Sequence, residues 1–526
     1  MNTDKDSRPK GTQVPRISQT LVPRPLAVQD ENGEFCFTDD VRIIHEVGFS
    51  DQAAFLAKET GISHSHVIPW GNYTAEHGEK TLMVMLRHED GLPSEGYNLE
   101  ITPGFIRITA SEGKGMFWGI QSLMQLFLIR NDECEDSAVL IPCGTVHDAP
   151  AFAWRGFMLD CCRHFFTVSF IKKLIAAASR FKLNVFHWHL TDDQGWRIPI
   201  TEYPALTEIG SRRTVLAYQD GRTYGGFYTH DEIREVVEYA ASHNMDVLPE
   251  IETPGHASAI LASYPHLGCE GVGSFSVEDR WGIFDNVLNV GNDEVFTMLD
   301  CVIRTVASLF PFPYIHIGGD ECPRVQWKND PLCHERIKQQ GLKSVDELQS
   351  WSTVQVNSIA AHHGKKIIGW DEILDGTDTM GLPSDAVVMS WRGLEGGIKA
   401  SDAGHKVIMC PTTQGCYLDY KNYDSPEEPG NLGMATVRKS YEFSPTPQGM
   451  SENQRHLVLG GQGNLWTEKI PFSRNAEYML FPRLCALAES FWLGDEKDFE
   501  DFASRMDTIY RLLDIMDLRY YQGPWA

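Results

Sequence analysis

A repeat restricts this chain more than any other feature. Eight times between residues 155 and 463 a short run rich in β-branched or aromatic residues ends in polar or aromatic side chains. These runs are RGFMLD (155–160), NVFHWHL (184–190), DVLPEI (246–251), YIHIGG (314–319), KIIGW (366–370), AVVMSW (386–391), KVIMC (406–410) and HLVLGGQG (456–463). Such runs read as buried strands. Stretches with helical spacing begin at Val168, His230, Glu294 and Glu347, between strands, and another begins at Asn475, after the eighth. Alternating strands and helices imply parallel strands joined by crossovers, and eight units close into a (β/α)8 TIM barrel over 148–526; an open doubly wound α/β sheet is the competitor. Residues 411–455 carry no clear helical pattern but contain YDSPEEPGN, which predicts a long loop over one face.

Ahead of the barrel the pattern changes. Residues 1–20 are expected to be a flexible lead, and 21–147 a small α+β domain in which YNLEITPGFIRITA (97–110) has hairpin character and GKGMFWGIQSLMQLFLI (113–129) reads as a helix. HDAP (147–150) marks the junction. With 46 basic against 72 acidic residues the formal charge is -26, which repels phosphate backbones and anionic lipid, so neither nucleic acid nor a membrane is an expected partner. The first twenty residues lack the apolar core of a secretory signal and no later run approaches the length of a membrane span. As given, the chain is expected to be soluble and cytoplasmic; an export signal already removed is the alternative. Twelve scattered cysteines without metal-binding spacing read as reduced thiols, and neither a metal nor a cofactor is expected. The pattern fixes no oligomeric state.

Catalytic groups in such barrels stand at the C-terminal ends of the strands. Those positions hold Asp160 and Arg163; Asp192, Asp193 and Trp196; Glu250, Glu252 and His256; Asp320 and Glu321; Trp370, Asp371 and Glu372; Trp391; Tyr417 and Asp419; and Trp466 with Glu468. Any one of these tryptophans alone is more often a core anchor, a lone arginine after a strand a surface ion-pair partner, and a lone histidine a structural one. Carboxylates and indole rings converging from nearly every strand suit a carbohydrate, whose apolar face stacks on tryptophan and whose hydroxyls bond carboxylates and arginine. Asp320 and Glu321 are neighbours, and neighbours on a regular strand point to opposite faces. Both can serve one site only if the backbone turns there, and Gly318 and Gly319 permit such a turn. The plain alternative is a solvated turn.

The set RGFMLDCCRHF, HWHLTDDQGWR, PEIETPGH, HIGGDE, GWDEIL, YLD and GQGNLWTE, in that order over residues 150–470, resembles the family 20 glycoside hydrolases, the β-N-acetylhexosaminidases; YNLEIT with GMFWGIQSLMQL resembles the small domain ahead of that family's barrel. The one departure is Glu252, where the family commonly has Asp. The resemblance implies a retaining exo-enzyme releasing terminal β-linked GlcNAc or GalNAc, in which the 2-acetamido oxygen of the sugar attacks the anomeric carbon to give an oxazolinium intermediate. By the same resemblance Asp320 binds the acetamido N–H while Glu321 is the general acid and base. Tyr417 would hold the acetamido oxygen, and Trp370, Trp391 and Trp466 would wall the methyl group and the sugar face. Arg163 would grip the 3- and 4-hydroxyls, and Asp419 and Glu468 the outer ones. Asp192 and His256 would orient Glu321 from behind.

Two readings compete. A metal-dependent barrel enzyme would use the acids ending strands three to five and the histidines of HWH, but strands six and seven end in Ser390-Trp391 and Cys410-Pro411 and supply no further ligands, so His187 and His189 are read as barrel interior. A non-catalytic amino-sugar-binding protein could use the same pocket without cleaving. The natural glycan, the choice between GlcNAc and GalNAc, and release of one sugar or two rest on loops such as 411–455.

Overall fold

The computed structural model describes residues 16–73, 82–133, 138–214, 222–426 and 428–525. They fall into two compact units, one running to Pro150 and taking in Glu500–Ile515, the other comprising Ala151–Phe499 and the chain from Met516 onward.

In the first unit a seven-stranded sheet runs in the order Ala27–Phe37, Val139–Asp148, Tyr97–Ile101, Phe105–Ala110, Met83–His88, Arg42–His45, Val67–Pro69. The expected hairpin is its middle pair, antiparallel from Tyr97↔Ala110 to Ile101↔Ile106. Period-two alternation puts Leu99, Ile106 and Ile108 in the core while Asn98, Glu100, Arg107 and Thr109 take the other face. The helix Gly113–Glu133 packs on strands Tyr97–Ile101, Phe105–Ala110 and Val139–Asp148. The helix Met506–Ile515, which falls within the 148–526 expected to form the barrel, packs here against Gly113–Glu133, with Ile509, Leu512 and Leu513 fully buried. Its apolar stripe says that it must be covered, not by which unit. The expected flexible lead needs a second correction. Residues 1–15 lie outside the described residues, but Ile17–Gln19 form a short helical turn with Ile17 fully buried, and Gln125 bonds both the N–H and the C=O of Val22. An apolar side chain without solvent exposure ties this stretch to the sheet unit.

The second unit is a closed barrel of eight parallel strands: Trp154–Asp160, Val185–His189, Asp246–Glu250, Tyr314–His316, Lys366–Trp370, Val387–Ser390, Lys406–Met409 and Val458–Leu465. All eight expected runs form strands, and the last pairs with the first from Gly460↔Trp154 to Leu465↔Leu159. Helices start where short polar side chains can satisfy orphan amides: Thr167 accepts from Phe170 N, Thr229 and Glu232 cap each other, and Asn292 accepts from Glu294 N. The helix expected from Asn475 is two, Ser473–Leu480 and Arg483–Leu493, parted at Phe481 because Pro482 supplies no N–H and pushes its predecessor to an extended conformation. Residues 411–455 are more ordered than the expected loop. They hold a two-stranded piece, Tyr420–Lys421 with Asn431–Met434, and the helix Val437–Glu442, and the helix Glu452–Leu457 begins at their end. Elements of two to six residues are too short for a periodic signal. The eleven described cysteines are all free thiols. No described helix is long and apolar enough to cross a membrane.

Candidate active site

The fourth barrel strand stops at His316, and the backbone then takes left-handed conformations at Gly318 (φ 65°), Gly319 (φ 97°) and Glu321 (φ 45°). Glycine is required at 318 twice over, since a Cβ there would lie 1.8 Å from Glu252 Oε2; one at 319 would lie 2.8 Å from Ile373 Cγ2. This turn brings Asp320 and Glu321 to the same cavity, which encloses about 180 Å³. Arg163, His256, Trp391, Tyr417, Asp419, Trp466 and Glu468 line it with them, so nine of the eleven expected site residues meet around one space.

The remaining two, Trp370 and Asp192, lie outside that lining. Trp370 is fully buried, its ring 4.6 Å from His316 and 5.9 Å from Trp466, so that it backs the cavity wall that Trp466 forms. Asp192 is the hub behind the site. Its Oδ2 receives Arg163 Nη2 at 2.9 Å and His189 Nε2 at 2.8 Å, and its Oδ1 lies 3.4 Å from His256 Nδ1. The far nitrogen of His256, Nε2, is 3.7 Å from both Asp320 Oδ2 and Glu321 Oε2. One imidazole thus faces both members of the acidic pair.

Burial decides how these charges settle. It opposes ionisation of Asp192, but Arg163 and His256 hold that carboxyl well below the usual range. Burial likewise disfavours charge on His256, yet Asp192 and Asp320 raise it well above an ordinary histidine. Asp320 is pushed up to about 7, chiefly by burial, with His256 opposing and the charge of Glu321 adding. Burial is thus the main cause at Asp320, whose side chain is 11% exposed against 31% for Glu321.

Also in the lining, the guanidinium of Arg163 lies 5.0 Å above the Trp466 ring and donates through Nε to Gln194 at 2.9 Å. Tyr417 stacks near Trp466 at 6.5 Å and sits 6.2 Å from Trp391. Asp419 accepts from Asn431 Nδ2 at 3.0 Å and is pushed up to about 7 by burial and by Glu468; Glu468 is itself raised by burial, with Arg163 opposing. The lining therefore offers carboxyl groups, an arginine and stacked rings, which is what a hydroxyl-bearing ring requires.

Sequence reading missed Thr412, Tyr420 and Asn431 in the lining. Asn431 comes from the ordered segment after strand seven and is brought to Asp419 by the backbone pairing Tyr420↔Asn431, a contact no spacing rule signals. Glu372 was legible as part of GWDE, but not its part: it accepts from Trp391 Nε1 at 2.9 Å and fixes that ring, and burial with Asp320 nearby pushes its carboxyl up to about 9. His187 and His189 point into the barrel interior, as expected, and are fully buried.

The family model for the glycosyl hydrolase family 20 catalytic domain matches residues 152–495, and that for domain 2 of the same family matches 18–149. A β-hexosaminidase of Porphyromonas gingivalis is 44% identical over 435 residues, which is 82% of this chain and 55% of that protein, so the chain spans little more than half of that relative. A β-hexosaminidase of Vibrio furnissii is 33% identical over 480 residues, 90% of this chain and 76% of that one. Among solved structures, a GH20 exo-β-N-acetylglucosaminidase from Vibrio harveyi in complex with N-acetylglucosamine superposes with a TM-score of 0.86 at 30% identity, covering 100% of this chain and 81% of that one. The GH20 β-N-acetylhexosaminidase of Streptomyces coelicolor A3(2) gives 0.82 at 28% identity, covering 98% and 99%.

Proposed function

Because the chain belongs to glycosyl hydrolase family 20, we propose that it is a retaining exo-β-N-acetylhexosaminidase, cleaving terminal β-linked GlcNAc or GalNAc from oligosaccharides or glycoconjugates. The observation that carries this reading is the Asp320-Glu321 pair, delivered to one cavity by a left-handed turn and faced by a single imidazole at 3.7 Å from each carboxylate. A cavity of about 180 Å³ is smaller than the roughly 300–1,000 Å³ that drug-sized ligands occupy, which favours one terminal sugar over an internal stretch of chain.

In this reading the acetamido oxygen of the bound sugar attacks its own anomeric carbon as the glycosidic bond breaks. Glu321 protonates the leaving oxygen and then removes a proton from the water that opens the oxazolinium ring, giving retention. Asp320 takes the acetamido N–H and, as positive charge develops there, becomes the better anion. Tyr417 holds the acetamido oxygen in attack position, with Trp391 and Trp466 enclosing the methyl group and Trp370 backing them. Arg163, Asp419 and Glu468 grip the hydroxyls, while Asp192 and His256 hold Glu321 in place. Release of nitrophenol from its β-GlcNAc glycoside, in chelator and beside the β-glucoside, tests the reading. Cleavage of the first alone is expected; equal cleavage of both would remove the acetamido mechanism, and loss of activity in chelator would restore the metal-dependent alternative.

A further inference from the structure

The first four strands carry an unusual tier. Register places Asp160 opposite His189, His189 opposite Glu250 and Glu250 opposite His316, so all four side chains project to the same level of the barrel interior, with His187 one level below. Barrel interiors are ordinarily filled by branched apolar residues. Here one carboxylate collects three imidazoles, all without solvent exposure: Glu250 Oε2 lies 2.5 Å from His189 Nδ1 and 3.0 Å from His187 Nε2, and Oε1 lies 2.7 Å from His316 Nδ1. His187 Nδ1 accepts from Gln462 Nε2 at 2.9 Å, which leaves the ring N–H on Nε2, the atom 3.0 Å from Glu250, although the geometry there is not that of a hydrogen bond. His189 alone leads outward, its Nε2 reaching Asp192 at 2.8 Å.

We infer that Glu250, which is not part of the lining of the site's cavity, is a positioning residue for the site: it fixes the ring of His189, and His189 fixes the Asp192 carboxylate, which holds Arg163 and, together with Asp193 at 3.1 Å, faces Nδ1 of His256. The inference rests on the function proposed above. The charges alternate along the path, Glu250, His189, Asp192, then Arg163 and His256, so each group is held by opposite neighbours on either side. Burial opposes charge on His189, but Glu250 and Asp192 raise it well above the ordinary range, whereas burial brings His187 down to about 4. Burial also opposes charge on Glu250, which His316, His189 and His187 hold well below the usual carboxylate range. The other titratable groups facing His189 are Asp160 and Cys162 from the first strand and Glu252 after the third.

With Glu250→Gln, His189 keeps a neutral acceptor but loses the charge that holds its second proton, and it then titrates near the ordinary histidine value of about 6.5. A neutral ring presents a lone pair to Asp192, and the hub loosens. The expected result is a variant close to wild type in kcat/KM on nitrophenyl β-GlcNAc at pH 5 that falls about tenfold or more below it by pH 8, through a new alkaline limb. A variant-to-wild-type ratio constant from pH 5 to 8 would overturn the inference and leave Glu250 as packing only. Should the variant not fold, 15N-histidine spectra of the wild type, with His189→Asn to identify the signal, decide it. Both ring nitrogens of His189 should stay protonated at pH 7, above the ordinary histidine value of about 6.5, and a neutral ring at that pH refutes the proposal. A wild type that releases no nitrophenol defeats the function alone, since these spectra and the pH ratio of N-acetylglucosamine binding still test the tier.

Discussion

Replacing Gly318 by alanine should destabilise the barrel by two separable amounts. The residue sits at φ 65°, where an L side chain costs about 1–2 kcal/mol. Its new methyl would lie 1.8 Å from Glu252 Oε2 and 2.4 Å from Glu252 Cδ, a clash with a fully packed neighbour of the kind that costs about 1–3 kcal/mol. The sum is about 2–5 kcal/mol. Glu252→Asp separates the parts: dropping one methylene withdraws the carboxyl by about 1.5 Å, roughly one carbon-carbon bond, and relieves the clash without altering φ. Urea unfolding followed by tryptophan fluorescence on wild type, both single variants and the double variant measures the coupling. Gly318→Ala should cost about 1–3 kcal/mol less when Glu252→Asp is already present than in the wild type. Strict additivity would refute the reasoning, because it would mean that Glu252 is not what the methyl meets. The same turn carries Asp320 and Glu321, so turnover should fall with stability in Gly318→Ala and recover in part in the double variant.

Three further outcomes follow from the site. Glu321→Gln should lower kcat by about 10²–10⁴-fold while leaving N-acetylglucosamine affinity, read by calorimetry, nearly unchanged; persistent turnover would take the acid role from Glu321. Asp419 binds its proton more tightly folded than unfolded, so its stabilising contribution is complete below about pH 4 and is lost as pH rises through about 7. Asp419→Asn, which imitates the protonated form, should match wild type in unfolding free energy at pH 4 and exceed it at pH 8.5, by on the order of 4 kcal/mol at most; equal stability at both pH values, read by urea unfolding, would contradict the buried-acid assignment. Asn431→Ala removes the amide that steadies Asp419 at 3.0 Å and should raise KM about tenfold with little change in kcat, which initial rates on nitrophenyl β-GlcNAc would settle.

The strand ends explain how much could be read in advance. A residue at the C-terminal end of a barrel strand has its place set by backbone periodicity, so Arg163, Asp320, Glu321, Trp391 and Glu468 were nameable from the order of the runs, and Gly318-Gly319 announced the turn. Local chemistry writes itself into adjacent residues: the caps at Thr167, Thr229 and Asn292 and the break at Pro482 depend on neighbours within a few positions.

What the fold alone decided involves residues far apart in the chain. That Trp370 backs the wall while Trp391 lines it depends on which cross-barrel neighbours cover each ring, and both read identically as a tryptophan ending a strand. The helix Met506–Ile515 carries an apolar stripe with no address, and packing assigned it to the sheet unit. Asn431 reaches the cavity through a short pairing that leaves no periodic trace. The tier of His189, Glu250 and His316 exists only because the registers of three strands align one carboxylate with two imidazoles. The environment of Asp320 was likewise a tertiary matter: sequence placed two acids side by side, but only the closed barrel buries the side chain of the first more deeply than that of the second, and that burial raises the proton affinity of Asp320.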